Sequence, residues 1–287
     1  MTVLQPEAAL TVQGWGGGLL AVVRRRFLLS LLVRKELRVR YRASVLGLGW
    51  SYVKPAVQFL VYLVGMGLIL QQRAIGNYPV YLFGGLVVVT TFSEAVGNAS
   101  RSVVANADLV KKIYLPRELF PVASICVAVV HLAPQVVVLL AGSLLSGWRP
   151  DPVGMAALVA GLALVLLLAL GLGLLLGAVN VLFRDVENVV DLVLMVLIWV
   201  SPVLYPWQRV AAVFGEGSIW LAIYQLNPLT VAVELVHRGT WASGTNAGAT
   251  PPGLAGQTVA AFGMTVVLIA VGQLVFRRLS GRFAQEL

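Results

Sequence analysis

Charged residues are scarce in this sequence. Asp, Glu, Lys and Arg make up only 11% of its 287 residues, whereas a soluble domain averages about 25%. Hydrophobic residues account for 59% of the chain, and the mean hydropathy is +0.89. This composition excludes a soluble globular protein and predicts a polytopic, all-α integral membrane protein.

Other absences exclude further classes. Cys126 is the single cysteine and lies in an apolar run, which excludes disulfides within the chain and cysteine-based metal sites. No GxxxxGK[ST] phosphate loop occurs, so the chain does not hydrolyse ATP by that route. No internal repeat supports an inverted-repeat secondary transporter. Residues 1–23 lack the pattern of a cleavable signal peptide, and none is expected.

Long apolar runs predict six transmembrane helices. The predicted spans are residues 53–70, 78–96, 121–145, 153–182, 189–204 and 254–276. Between the last two, residues 205–250 contain apolar runs of only about ten residues, half the length that a bilayer requires. Such segments are typical of re-entrant or interfacial helices, because irregular backbone at membrane depth must lie against protein or water.

The cations are unevenly distributed between the two sides of the predicted bundle. Seventeen Lys and Arg residues lie on the side of the termini and only four on the other, which predicts cytoplasmic termini. The net charge is +9 and the pI is near 10.1. Because these charges lie in short segments between apolar runs, we interpret them as topology signals and predict no nucleic-acid partner.

The sequence divides into a flexible cytoplasmic tail, an amphipathic interface region, a membrane domain and a second cytoplasmic tail. The predicted boundaries are 1–23, 24–52, 53–276 and 277–287. Within the membrane domain, residues 98–117 form a cytoplasmic coupling segment and residues 205–250 a periplasmic re-entrant region.

Residues 34–55, RKELRVRYRASVLGLGWSYVKP, are basic and lead directly into the first span. Helical spacing predicts one cationic flank and a more apolar opposite flank, with Arg40 on the apolar side. The cationic flank comprises Arg34, Lys35, Arg38 and Arg42, and the opposite flank comprises Leu32, Val33, Leu37 and Val39. This pattern favours a helix along the cytoplasmic membrane surface. The alternative is a positive flank that only fixes topology.

The segment NADLVKKIYLPREL combines two lysines with apolar side chains. We expect a short helix whose basic face and apolar residues fill a groove on a separate ATPase subunit. The residues expected to do so include Lys111, Lys112, Val104, Leu109, Val110 and Ile113. The alternative is a solvated positive-inside loop.

Acidic and ionisable residues inside apolar surroundings are candidates for function. Asp185, Glu187 and Asp191 resemble magnesium-binding clusters, but we favour a structural interpretation at the start of the fifth span, stabilised by the helix dipole beside Arg184. His131 is expected to hydrogen-bond across helices, and Glu94 to lie at the interface.

Four sequence motifs in register carry a resemblance to a known family. RYRASVLGLGWSYVKP, NADLVKKIYLPRELFPV, VNVLFRDVENVVDLVL and SPVLYP followed by QLNPLTVAVELVHRG are similar to segments of polysaccharide-exporting ABC type-2 permeases. These are the membrane subunits for O-antigen, teichoic acid and mycobacterial galactan export. The resemblance covers about residues 28–283.

The resemblance implies a bacterial inner-membrane homodimer around one path, with two copies of a separate ATPase subunit that binds ATP and Mg. It implies a gate helix near residues 34–46 beside the pore entrance, and short periplasmic gate helices at residues 207–213 and 228–237. It implies ATPase contact through Asp108, Leu109, Lys111, Lys112 and Tyr114. No cofactor, metal site or catalytic residue is expected in this chain.

The exported substrate would be a glycan linked to a polyprenyl diphosphate. Arg38, Arg40 and Arg42 are the candidates for its dianionic head group, with Trp50 beside them. Aromatic rings stack on sugar C–H faces, so some aromatics are expected to line the path. The candidates are Tyr52, Phe59, Tyr62, Trp199, Tyr205 and Trp207, with Asn227 and Pro228 at the periplasmic gate; each aromatic is equally compatible with an interfacial belt.

Two other functions stay open. An ABC type-2 permease for a lipid or drug would share the same architecture. An integral-membrane glycosyltransferase would be active in purified form without an ATPase partner.

Overall fold

The computed structural model describes residues 18–42, 44–45, 47–69, 75–113, 115–242 and 250–287. Within these ranges the chain is helical and contains no strand. Because a bilayer offers no partner for backbone N–H and C=O groups, helices that satisfy them internally are the expected architecture. The predicted all-α membrane fold is confirmed.

The first half of the chain begins with two helices that precede the bundle. They are α1 (Gly18–Arg24) and α2 (Arg26–Arg40). A 3₁₀ turn, Gly47–Gly49, leads into α3 (Trp50–Tyr62), which continues as a π-helix over Leu63–Ile69. Next come α4 (Tyr78–Arg101), a 3₁₀ turn at Val104–Asn106, α5 (Ala107–Lys112) and α6 (Leu119–Leu145).

The second half contains the longest helix and the short helices of the re-entrant region. In order they are α7 (Pro152–Leu182), α8 (Val186–Val200), α9 (Trp207–Phe214), α10 (Ile219–Leu226) and α11 (Pro228–Thr240). The chain ends with α12 (Leu254–Ser280) and α13 (Phe283–Glu286).

Five helical segments are long and apolar enough to cross a membrane within the described ranges: Trp50–Ile69, α4, α6, α7 and α12. The pair α10–α11, bent by 70°, is a sixth candidate if both helices form one broken span. The predicted fifth span, residues 189–204, has different bounds. Its helix α8 has 15 residues, or about 22 Å against a hydrocarbon core of about 30 Å.

Pro202 explains why α8 ends early. A residue before proline is disfavoured in the α conformation, and Ser201 has an extended backbone (φ −95°, ψ 154°). The second span, by contrast, is longer than predicted, because α4 continues to Arg101. The start of the predicted coupling segment therefore belongs to a transmembrane helix.

Helix α7 lies at the centre of the bundle and packs against α4, α11 and α12. Small residues allow the backbones to approach closely, as is typical of membrane helices. A Cβ atom added at Gly173 would lie 2.6 Å from Ala99 Cβ, and one at Gly161 would lie 2.8 Å from the Ala232 carbonyl oxygen. This packing fixes α4 and α11, which carry the functional residues described below.

Candidate functional site

Helix α2 lies against α6, but none of its residues is buried. Its cationic flank is largely as predicted, since Arg34, Arg38 and Arg42 are exposed. The prediction for Val39 is wrong. It was assigned to the apolar flank of the helix, but it is 63% exposed and does not face the bundle. The residue directed inwards at this end of the helix is Arg40.

Arg40 binds a carboxylate on the second span. Its Nη1 donates to Glu94 Oε1 at 2.5 Å, and its Nη2 lies 3.8 Å from Glu36 Oε1, one turn earlier on α2. The Arg40 side chain is 29% exposed and that of Glu94 is 25% exposed. Arg40 was predicted to contact a substrate phosphate, and the structure places it in an ion pair within the chain.

Glu94 has a second partner on α6. His131 Nδ1 lies 2.6 Å from the same Oε1 atom, and the imidazole is almost completely buried. Its other nitrogen, Nε2, lies 2.8 Å from the Tyr41 hydroxyl, which also contacts the Ser51 hydroxyl at the start of α3. His131 thus hydrogen-bonds across helices, as the sequence indicated.

One set of donor directions satisfies this network. Ser51 donates to Tyr41, Tyr41 donates to His131 Nε2, and His131 Nδ1–H donates to Glu94, which also accepts from Arg40. A neutral imidazole is sufficient for this arrangement. The Glu94 carboxylate is therefore the common acceptor that joins α2, α3, α4 and α6. These five side chains, Arg40, Tyr41, Ser51, Glu94 and His131, are called the latch below.

Two further polar contacts attach the middle of α2 to the bundle. Lys35 Nζ donates to Asn106 Oδ1 at 2.5 Å, and Ser124 Oγ donates to Glu36 Oε1 at 3.4 Å. Burial raises the pKa of the Glu36 carboxyl, and the neighbouring Arg40 only partly opposes this effect. Arg40 lies closer to Glu94, at 2.5 Å, than to Glu36, at 3.8 Å.

The opposite end of the bundle contains a cavity of about 1000 Å³. Four predicted residues line it: Trp199, Tyr205, Asn227 and Pro228. Most other lining residues are apolar, and Arg209 is the one charged side chain among them. The full lining comprises Met66, Trp199, Val200, Tyr205, Arg209, Val210, Val213, Phe214, Trp220, Ile223, Tyr224, Leu226, Asn227, Pro228 and Met264.

The remaining predicted aromatics do not line this cavity. Trp207 packs with Tyr205 in a small apolar cluster beside it. Phe59 makes an edge contact with Phe83, with centroids 5.4 Å apart, and Tyr62 packs against the main core. Tyr52 is half-buried and Trp50 exposed near the start of α3, at the latch end.

Asn227 and Pro228 form the start of α11. Asn227 Oδ1 accepts from the Leu229 backbone N–H at 3.0 Å, and Pro228 follows at the first helical position. Both features stabilise a helix start. The predicted short helices at residues 207–213 and 228–237 are present as α9 and α11, but α11 is deeply buried: all its residues except Pro228 and Arg238 are buried.

The structure corrects part of the docking surface that was predicted for the coupling segment, residues 98–117. Val110 is buried, and Leu109 and Val104 pack with it against the chain's own Phe276 and Phe283. The buried Val110 side chain is therefore unavailable to fill a groove on a partner, whereas Leu109 and Val104 are half-buried and their contact with the ATPase stays a prediction.

Among the described residues of this segment, the exposed ones are three charged residues and the apolar Ala105 and Ile113. Asp108, Lys111 and Lys112 are exposed, and the Ile113 side chain is 50% exposed. Tyr114, also predicted to contact the ATPase, lies outside the described residues.

Glu187 and Asp191 pair with an arginine that the sequence did not indicate. Arg101, the last residue of α4, lies 3.4 Å from Glu187 and donates to Asp191 at 2.5 Å. Asn180 also donates to Glu187 at 2.8 Å. The predicted neighbour Arg184 is exposed, as is Asp185. Within the described ranges, no group of three or more His, Cys, Asp or Glu residues is placed to hold a metal.

Sequence reasoning missed Tyr41, Ser51 and Arg209. Glu94 and His131 could be identified from the sequence because ionisable groups are rare in apolar runs. A tyrosine and a serine in an interfacial segment carry no comparable signal.

A model of the ABC-2 type transporter family matches residues 28–239, from α2 through most of α11. The chain therefore belongs to the ABC-2 type transporter family, a family of multi-pass membrane transport proteins. The predicted resemblance is confirmed at this level.

Relatives with assigned functions support the same membership. The O-antigen export system permease protein RfbA of Klebsiella pneumoniae is 28% identical over 265 residues, or 91% of this chain and 95% of that protein. RfbA of Myxococcus xanthus is 32% identical over 208 residues, or 71% and 76% of the two chains. The polysialic acid transport protein KpsM of Escherichia coli is 23% identical over 206 residues, or 71% and 77%.

Proposed function

We propose that this chain is the permease subunit of an ATP-driven exporter that moves a polyprenyl diphosphate-linked polysaccharide across the bacterial inner membrane, from the cytoplasm to the periplasm. The observation that carries the proposal is the exposed arginine flank of α2, which leads into the first span of a chain similar to O-antigen export permeases. Guanidinium groups match phosphate oxygens in geometry and charge.

The energy for transport comes from a separate subunit. The sequence has no phosphate loop, so the chain itself is not an ATPase, and ATP and Mg bind to the partner. Asp108, Lys111, Lys112 and Ile113 are exposed in and just after α5 and form the contact with that partner. Rim charges of this kind steer association and fix register more than they add affinity.

Two copies of the chain surround the transport path, and both termini are cytoplasmic. The asymmetry of 17 cations against four supports this orientation. Exposed apolar side chains along α8, among them Leu192, Val193 and Met195, face either lipid or the second copy. A homodimer places two α2 helices at one entrance.

Substrate capture is tested by reversing the exposed charges. Arg38→Glu combined with Arg42→Glu should abolish polysaccharide export while the ATPase subunit still co-purifies, because both side chains are exposed. Arg25→Glu with Arg26→Glu makes the same charge change at the other end of the region and should leave export near wild type. Normal export by the first variant would refute the proposal.

A lipid permease is the second candidate, and the cavity favours it. Glycan hydroxyls need polar partners, and the cavity offers few of them. ATP turnover by the purified complex distinguishes the two functions. Stronger stimulation by a diphosphate-linked glycan than by the same lipid without sugar supports glycan export; equal stimulation by both supports a lipid permease. Glycosyl transfer by the purified chain alone would instead identify an enzyme.

A further inference from the structure

Arg40 differs from the other arginines at the end of α2 because it already has an anionic partner. Within the described ranges, no carboxylate lies within ion-pair distance of Arg38 or Arg42, whereas Arg40 binds Glu94 at 2.5 Å. The pair is not sealed from solvent, since 29% of the Arg40 side chain and 25% of the Glu94 side chain are exposed. A second anion can therefore approach Arg40.

Release of Arg40 would not leave Glu94 without a partner. His131 Nδ1 lies 2.6 Å from the same carboxylate oxygen, and Tyr41 holds the imidazole from its other side. A buried carboxylate without any donor would be strongly destabilised. The hydrogen bond from His131 reduces that penalty, so Arg40 can leave Glu94 while the carboxylate keeps one donor.

The same exchange would loosen α2. No residue of this helix is fully buried; its apolar attachment consists of half-buried side chains such as Leu32, which packs beside Phe276 and Phe283. Arg40 and Tyr41 attach its C-terminal end to α4 and α6. Lys35 and Glu36 make further polar contacts, with Asn106 and Ser124. Loss of the Arg40–Glu94 pair removes the one ion pair that joins α2 to a transmembrane helix within the described ranges.

We propose that the diphosphate of the substrate competes with Glu94 for Arg40, so that head-group binding itself releases the latch and frees α2 to move. This inference rests on the proposed function. Arg38 and Arg42 make the first contacts, and Arg40 joins them only when it leaves Glu94. Glu94 thus competes with the diphosphate for Arg40. This competition holds α2 in its resting position and raises the substrate concentration needed to release it.

The two partners of one ion pair should then give opposite phenotypes. In the complex with its ATPase, reconstituted in nanodiscs, polyprenyl diphosphate is the probe and ATP turnover the readout. Glu94→Gln removes the competitor, so the half-maximal concentration should fall about fivefold or more. Arg40→Gln removes a phosphate-binding group, so that concentration should rise by a similar factor. Arg25→Gln, at the other end of α2, should change neither.

A spin label on α2 provides a second readout. With Cys126→Ser as background, Val39→Cys places a label at an exposed position beside Arg40. Label mobility should increase in wild type on addition of polyprenyl diphosphate, and should already be high in Glu94→Gln without it. Equal mobilisation by phosphatidylglycerol would overturn the assignment to a diphosphate. If Arg40→Gln does not assemble, Arg40→Lys replaces it and should raise the half-maximal concentration less.

The outcomes separate the latch from the proposed function. If polyprenyl diphosphate stimulates wild type and both Gln variants shift in the same direction, the pair is only a structural contact and the latch is refuted while the proposed function stands. If wild type does not respond to polyprenyl diphosphate or to its glycan-linked form, the proposed function fails and the latch fails with it.

Discussion

Helices α2 and α11 have similar lengths, 15 and 13 residues, but they are held to the bundle by different forces. Helix α11 packs tightly against α7 and α4, and nearly all its residues are buried. Helix α2 has no fully buried residue and is attached by half-buried apolar side chains and partly exposed polar ones. Dispersion contacts in a close-packed interior cannot be exchanged one at a time, whereas a hydrogen bond can pass to a ligand. The comparison identifies α2 as the movable element and α11 as part of the frame.

The largest effect is expected from Gly239→Ala in α11. The added Cβ would lie 2.6 Å from the Gly154 carbonyl oxygen and 2.7 Å from Leu158 Cβ, so the fold must shift at a cost of about 1–3 kcal/mol or more. The thermal unfolding midpoint in detergent should fall clearly. Gly142→Ala in α6 is the matched control, because nothing lies within 4 Å of its added Cβ. Equal effects of the two substitutions would show that α11 is not tightly packed.

An intermediate effect is expected from Arg101→Gln, which leaves Glu187 and Asp191 without their common cation. These side chains are between 32% and 58% exposed, so the loss should be only about 1 kcal/mol. The unfolding midpoint should fall slightly, and less at high salt. Arg184→Gln removes an exposed arginine nearby and should change nothing. An equal decrease in both variants would argue against the α4–α8 ion pairs.

A smaller, local effect is expected from Tyr41→Phe. This change removes the hydroxyl that contacts His131 and Ser51, worth about 1 kcal/mol. Hydrogen exchange should become several-fold faster in α2 and stay unchanged in α11. If exchange increased in both helices, α2 would be part of the frame and the contrast between them would be lost.

The smallest effect is expected from Lys35→Gln. Its hydrogen bond to Asn106 lies at an exposed position, where such contacts contribute within about 0.5 kcal/mol. Hydrogen exchange in α2 should change less than in Tyr41→Phe. A larger change than in Tyr41→Phe would show that α2 is held mainly by its contact with the coupling segment and not by the latch.

The sequence predicted the helix boundaries better than the burial and contacts of individual side chains. The boundaries of α6, α7 and the start of α12 were within two residues of the prediction, because long apolar runs flanked by polar turns mark them directly. The predicted end of the fifth span was wrong because Pro202 disfavours a helical Ser201, so α8 ends at Val200 although the apolar run continues. Val110 was predicted to lie on a docking surface because the segment around it is basic. The sequence does not indicate that the distant Phe276 and Phe283 pack against it and bury it.

The sequence by itself determined that this chain is a helical membrane protein, where its helices lie, and that a basic helix precedes the first span. Composition and periodicity are sufficient for these conclusions, because they depend on neighbours only a few residues apart. Only the tertiary structure decided that Arg40 binds Glu94 and that Tyr41 binds His131. Those partners are 54 and 90 residues apart in the chain, and helical spacing gives the face of a residue without indicating which helix will lie opposite.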